Sequence, residues 1–212
     1  MIKYFLILIA FIKPNLHSQS DKISKIDSII YSKVEKNHPG LGVGIIKDGK
    51  IIYEKYRGLS NLQHQIPFNE KTRSNIASTA KQFTALMVLD LSLKEKLDLD
   101  DDIRKYLPNL YKTVVDKIRI RHLINHSSGI QEYVYLLSQE GKVWWKHVGL
   151  DNNDIMKLLE KQNDLQFKPG TKYSYSNSNY NVIARIIEKV TGEKFTDYSK
   201  SFFDDLNMLK TS

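Results

Sequence analysis

The stretch 75-NIASTAKQFTAL-86 sets a serine, Ser78, three residues ahead of a lysine, Lys81, at the start of an apolar-rich run. Residues three apart in a helix share a face, one turn above the other. If a helix begins near Ser78, Lys81 projects beside its hydroxyl. The positive end of the helix dipole and burial both disfavour an ammonium there, and a neutral lysine would take the serine's proton. The plain reading of the same residues is a capping serine followed by an exposed lysine, and spacing alone leaves both open. The run 81-KQFTALMVLDLSLKEKL-97 then has the spacing of a largely buried helix.

A second constellation lies almost a hundred residues on. Within 173-YSYSNSNY-180, Tyr175-Ser176-Asn177 forms a Y-x-N in a turn-rich loop before a helix. A tyrosine near a cationic lysine can serve as phenolate or proton relay, and an adjacent amide can hold both the lysine and a substrate carbonyl. For Tyr173 and Tyr180 an aromatic surface loop is the simpler reading.

Around these motifs the chain punctuates itself. Ile23, Ile26, Ile29, Ile30 and Val34 recur at helical spacing up to about Asn37, and Pro39-Gly40 stops that helix. Two β-rich runs flank Asp48-Gly49, a strong hairpin signal. A short helix is expected to end at Gly129, a second to start at Asp151 or Asn152, and an amphipathic third to close at Gly192. The order is helix, hairpin, then a long mostly helical stretch, with no internal repeat, low-complexity tract or interdomain linker.

Composition bounds the rest. The chain has 212 residues, 41% hydrophobic and 26% charged, the balance of a globular domain. Its formal charge is +8, but lysines interleave with acids, as in 92-SLKEKLDLDDDIRKY-106, so no nucleic-acid partner is expected. There is no cysteine, which excludes disulfides, thiol catalysis and cysteine-held metals. His122 and His126 stand at i, i+4 without an evident third ligand, Asp100 to Asp102 read as a solvated helix start, and Trp144-Trp145 as packing in the helical region. No metal and no cofactor are expected. Met1-Ile2-Lys3 followed by the apolar run Tyr4–Ile12 has the layout of a signal peptide over residues 1–20, with the mature chain starting near Gln19 or Asp21. That layout predicts a periplasmic or secreted protein with no stable membrane span after cleavage; the alternative is an anchor through an uncleaved N-terminal segment.

Six ordered blocks resemble the serine β-lactamase and penicillin-binding-protein superfamily, nearest its class C β-lactamase, D-alanyl-D-alanine carboxypeptidase and esterase branch. They are 41-LGVGIIKDGKIIYEKYRGLSN-61, 72-TRSNIASTAKQFTAL-86, 97-LDLDDDIRKYLP-108, 118-IRIRHLINHSSGI-130, 167-FKPGTKYSYSNSNYNVIARIIEKVTG-192 and 202-FFDDLNMLKTS-212. The resemblance implies an α+β fold of the β-lactamase/transpeptidase type, over residues 21–212. It implies Ser78 as the acylated nucleophile, Lys81 as its base partner, Tyr175 as general base or proton shuttle, and Asn177 as a contact to substrate and lysine. The substrate class it implies is a small-molecule or peptidoglycan-type amide, β-lactam or ester; the oligomeric state is not legible.

Two departures from the family pattern, Asp205 and Asn207, stand where proline and glycine are usual. A third concerns the K-T-G or H-x-G motif that the family carries on a later strand, which lines the substrate and supplies one oxyanion-hole N–H. Thr191-Gly192, His38-Pro39-Gly40 and Lys168-Pro169-Gly170 all lie in the wrong place for it. The expectation is therefore an N-terminal portion of such an enzyme, lacking the C-terminal strands and helix, with a catalytically impaired fragment or non-catalytic binding module as the alternative function.

Overall fold

The computed structural model describes residues 16–143 and 149–211. Most of the expected signal segment, and Trp144-Trp145, lie outside them. The chain divides into two units, Met1–Asn75 and Ile76–Ser212.

In the first unit, helix α1 (Leu16–Lys33) precedes a hairpin of β1 (Leu41–Lys47) and β2 (Lys50–Arg57). The hairpin turns at Asp48 and Gly49, with φ of 50° and 73°. Positive φ at both central residues gives a turn whose twist matches that of the strands. The antiparallel register pairs Val43 with Lys55 and Ile45 with Tyr53, with an irregularity between Ile45 and Ile46. One face of the hairpin meets α1. Tyr53 donates its hydroxyl to Asp27 Oδ1 at 2.6 Å, Lys55 Nζ lies 3.3 Å from the same oxygen, and the Arg57 guanidinium sits over the Tyr31 ring. Ile30 and Val34 are buried, but Ile29 is exposed, because it lies a third of a turn off the stripe that continues through them. A short antiparallel pair, β3 (Leu59–Asn61) with β4 (Ile66–Pro67), completes this unit.

The second unit is helical. A 3₁₀ turn, Ala77–Ala80, leads directly into α2 (Lys81–Leu93). Met87, Val88 and Leu91 of α2 are buried while Leu86, Leu89 and Leu93 are exposed, so one face is covered and the expectation of a largely buried helix is corrected. Short α3 (Ile120–Ile124) stops before Gly129, and α4 (Tyr133–Gln139) follows it. Helix α5 (Asn152–Glu160) is capped by Asp151, whose carboxylate accepts the Asp154 N–H at 3.0 Å. Helix α6 (Asn177–Thr191) closes at left-handed Gly192, and α7 (Phe195–Asp205) ends the described elements.

Helix α6 is the axis of this unit. It packs against α2, α3, α5 and α7, and its Val182, Ile183, Ile186 and Ile187 are fully buried. Phe83 of α2 meets Phe203 of α7 edge-on at 5.3 Å between centroids. Its N-terminal turn is thereby held beside the start of α2, which brings the two motifs together. The helix-and-hairpin plus mostly helical arrangement is the expected α+β class. Among the described residues no helix is long and apolar enough to cross a membrane.

Candidate active site

Ser78 sits in the 3₁₀ turn rather than in the α-helix proper. With three residues per turn, i and i+3 eclipse, so Lys81 at the first position of α2 stands over the serine. Its Nζ lies 3.1 Å from Ser78 Oγ. The preceding residue, Ala77, has φ of 47°. A left-handed non-glycine residue costs about 1–2 kcal/mol, and such strain concentrates where a side chain must be aimed.

The Y-x-N loop reaches the same point from the other side. Tyr175 Oη is 2.8 Å from Ser78 Oγ, and Asn177 Oδ1 accepts from Lys81 Nζ at 2.9 Å and from Tyr175 Oη at 3.2 Å. Lys81 Nζ also lies 5.3 Å from the centre of the Tyr175 ring and 5.5 Å from that of Tyr180. All four residues named from the sequence therefore meet in one hydrogen-bonded cluster. Ser78 and Tyr175 are exposed, Lys81 and Asn177 half-buried, so the hydroxyl is reachable while its partners are held.

Electrostatics around the phenol point one way. Burial pushes the Tyr175 pKa up, but the hydrogen bonds to Lys81 and Ser78 and the Lys81 charge outweigh it and hold the phenol below its ordinary value. The Glu132 charge works against that lowering.

Behind the cluster is a scaffold that motif reading does not reveal. Asn177 donates its backbone N–H to Glu132 Oε2, and its Nδ2 to Glu132 Oε1 at 3.2 Å. Ser178 Oγ accepts the Tyr133 N–H at 2.8 Å and donates to the Gln131 carbonyl at 2.7 Å. Buried Ser128 donates to Asn179 Oδ1 at 2.6 Å. These bonds stitch the segment 126–133 to the first turn of α6. Gly129 lets the same segment approach residues 165–167 closely: its φ is 78°, and a Cβ there would fall 2.3 Å from the Phe167 carbonyl oxygen.

The two histidines are structural neighbours of this scaffold. His122 Nδ1 accepts the Arg119 N–H at 3.3 Å. His126 Nδ1 accepts the Ser176 N–H at 3.3 Å and faces Asn179 Nδ2 at 3.2 Å, and its ring lies 4.5 Å from that of Tyr175. Both are buried. The acidic run is used locally: Asp102 caps a 3₁₀ turn and pairs with Arg104, Asp101 pairs with Lys105, and Asp100 with Arg121. Among the described residues no group of three or more His, Cys, Asp or Glu side chains could hold a metal. A cavity of about 590 Å³ opens beside Lys81 and Asn177, walled by Thr84, Tyr133, Tyr180 and Phe195.

Comparison with known proteins gives one consistent family. The family model described as Beta-lactamase matches residues 23–212. Protein flp of Staphylococcus aureus (strain MRSA252) is 32% identical over 198 residues, which are 91% of this chain and 38% of that protein. The octameric penicillin-binding protein homologue from Pyrococcus abyssi superposes with a TM-score of 0.72 at 28% identity, over 89% of this chain and 43% of its own. A class C beta-lactamase superposes with a TM-score of 0.72 at 23% identity, over 90% and 49% of the two chains, and shows the shared fold. The chain thus spans less than half the length of each of these relatives.

Proposed function

The chain belongs to the Beta-lactamase family, and from that membership we propose that it is a serine hydrolase that opens an amide, β-lactam or ester carbonyl through an acyl-enzyme on Ser78. Members of the family are serine hydrolases of amides and esters. One observation carries the reading: two segments 97 residues apart put an amine and a phenol each within 3.1 Å of the same hydroxyl.

In the proposed cycle the Tyr175 phenolate accepts the Ser78 proton as Oγ attacks the carbonyl carbon, and the carbonyl electron pair moves onto oxygen. Lys81 donates toward Oγ and stabilises the charge that develops there. Collapse of the tetrahedral intermediate re-forms the carbonyl and breaks the bond to the leaving group. Tyr175 returns the proton to the departing nitrogen or oxygen. Water then attacks the acyl-serine, giving its proton to Tyr175 and releasing Ser78 by the reverse path. Asn177 orients Lys81 and the substrate carbonyl, and the adjoining cavity offers room for a small-molecule or peptidoglycan-type acyl or leaving group. The basic start and apolar run of the first twelve residues support a periplasmic or secreted location.

The test is mass spectrometry of the folded full-length chain after exposure to a penicillin and to a fluorophosphonate. An adduct on Ser78 that is absent from Ser78→Ala is the expected result, and no adduct with either probe rejects the reading. An adduct that persists without turnover assigns the chain to the catalytically impaired form of the same fold.

A further inference from the structure

The side chain of Asn177 is an amide of nearly symmetric shape, so sterics do not decide which way its oxygen points; neighbouring donors and acceptors do. On one side stand Lys81 Nζ, which donates to Oδ1 at 2.9 Å, and Tyr175 Oη, which donates to it at 3.2 Å while the phenol keeps its proton. On the other stands the carboxylate of Glu132, which can only accept and takes the Nδ2–H at 3.2 Å. The reversed amide would aim two N–H bonds at the lysine and a carbonyl at a carboxylate, two repulsions in place of two attractions. Glu132 is itself fixed. Its second oxygen accepts the Asn177 backbone N–H, its backbone is extended at the entry to α4, and the next residue, Tyr133, is tied to Ser178.

We propose that Glu132 is a positioning residue: it sets the amide orientation of Asn177 and so turns the carbonyl oxygen toward Lys81 and Tyr175. That the orientation matters for acylation rests on the function proposed above; that Glu132 sets it does not. The titratable groups facing this amide and the phenol are Lys81, Glu132, His126 and Tyr175 itself, from α2, the segment before α4, the segment after α3, and the Y-x-N loop. A purely structural role, Glu132 as an acceptor for the first turn of α6, is the competing account.

Glu132→Gln separates the two. Glutamine keeps an acceptor for the Asn177 backbone N–H, so the helix start stays satisfied, but its NH₂ group then confronts Asn177 Nδ2 and favours the reversed amide. The readouts on the full chain are the side-chain ¹⁵N–¹H₂ resonances of Asn177, assigned by their loss in Asn177→Asp, the rate of Ser78 labelling by a fluorophosphonate, and the melting temperature. The expected result is a folded variant with displaced Asn177 amide resonances and labelling slowed roughly ten- to a hundredfold, the range for a lost charge-assisted hydrogen bond. The exchange Glu132→Gln with Asn177→Asp restores acceptors facing Lys81 and a donor–acceptor pair between 132 and 177, and is expected to label faster than either single variant. Unmoved Asn177 resonances in Glu132→Gln, or an exchange no faster than the single variants, overturn the proposal. If the wild-type chain is not labelled at all, the functional reading fails while the Asn177 resonances still decide the positioning one. Should Glu132→Gln not fold, Glu132→Asp, which keeps both acceptors on a shorter stem, is read by the same resonances.

Discussion

Tyr175 Oη lies closer to Ser78 Oγ, at 2.8 Å, than does Lys81 Nζ at 3.1 Å, and against the upward push of burial its hydrogen bonds to Lys81 and Ser78 hold the phenol below its ordinary value. On the function proposed above, the shorter path for the serine proton leads to the tyrosine, and Lys81, whose Nζ also reaches Asn177 Oδ1, would serve that path as a donor.

This geometry fixes the expected pH dependence. A phenol held below its ordinary value of 10.0 gives a labelling rate that rises with pH through an apparent pKa below 10. Tyr175→Phe is expected to lose that rise and to label roughly 10²–10⁴-fold more slowly, the range for losing a general base. Lys81→Met removes the cation and the donor that favour the phenolate, so the rise moves to higher pH. Fluorophosphonate labelling rates from pH 6 to 10 for the three proteins check this; a Tyr175→Phe profile parallel to wild type would contradict it.

Stability is expected to fall in mild acid because of the two buried histidines. Burial holds both below the ordinary 6.5, with the Lys81 charge adding to the effect at His126 and those of Arg119 and Arg121 at His122. The unfolded chain then binds protons more readily than the folded one. The contribution is fully present above pH 6.5 and is lost as pH falls through the folded-state values. The paired acids Asp101 and Asp102 are held below 3.8 and act in a lower window. Urea unfolding from pH 7.5 to 5 is expected to show declining stability, with a shallower slope in His126→Asn, which keeps an acceptor but cannot titrate.

Gly129 offers a test of the scaffold independent of any chemistry. Gly129→Ala places a Cβ in left-handed backbone and 2.3 Å from the Phe167 carbonyl. A loss of about 2–4 kcal/mol is expected from the conformational cost and the backbone shift that the clash forces. A change below about 0.5 kcal/mol in urea unfolding at unchanged m-value would contradict the close approach.

How much of this was legible depended on where the deciding interaction lay along the chain. The hairpin announced itself because Asp48-Gly49 carries its own conformational preference, and α5 and α6 because Asp151 and Gly192 mark their ends. Helices α4 and α7 did not: Glu132 and Lys194 make no side-chain cap, so neither start is signalled locally. Strands β3 and β4 are too short to show alternation. Ser78, Lys81, Tyr175 and Asn177 could be named from motifs, but spacing alone could not bring them together, since the packing of α6 against α2 does that. Glu132 was invisible for a related reason. It is a lone acid between Gln131 and the apolar run that starts at Tyr133, and its partner lies 45 residues away. The left-handed backbone at Ala77 had no signal either, because alanine has no preference for it.

The separation of 97 residues between hydroxyl and phenol has a bearing on how the molecule is born. Contacts that close so long a loop must first overcome its entropy, and they form after local structure such as the hairpin. During synthesis from the N-terminus, Ser78 emerges well before the residues that would activate it, and stays an ordinary alcohol until α6 docks. On the proposed function, reactivity would thus be a late event of maturation, withheld from the nascent polypeptide by topology alone.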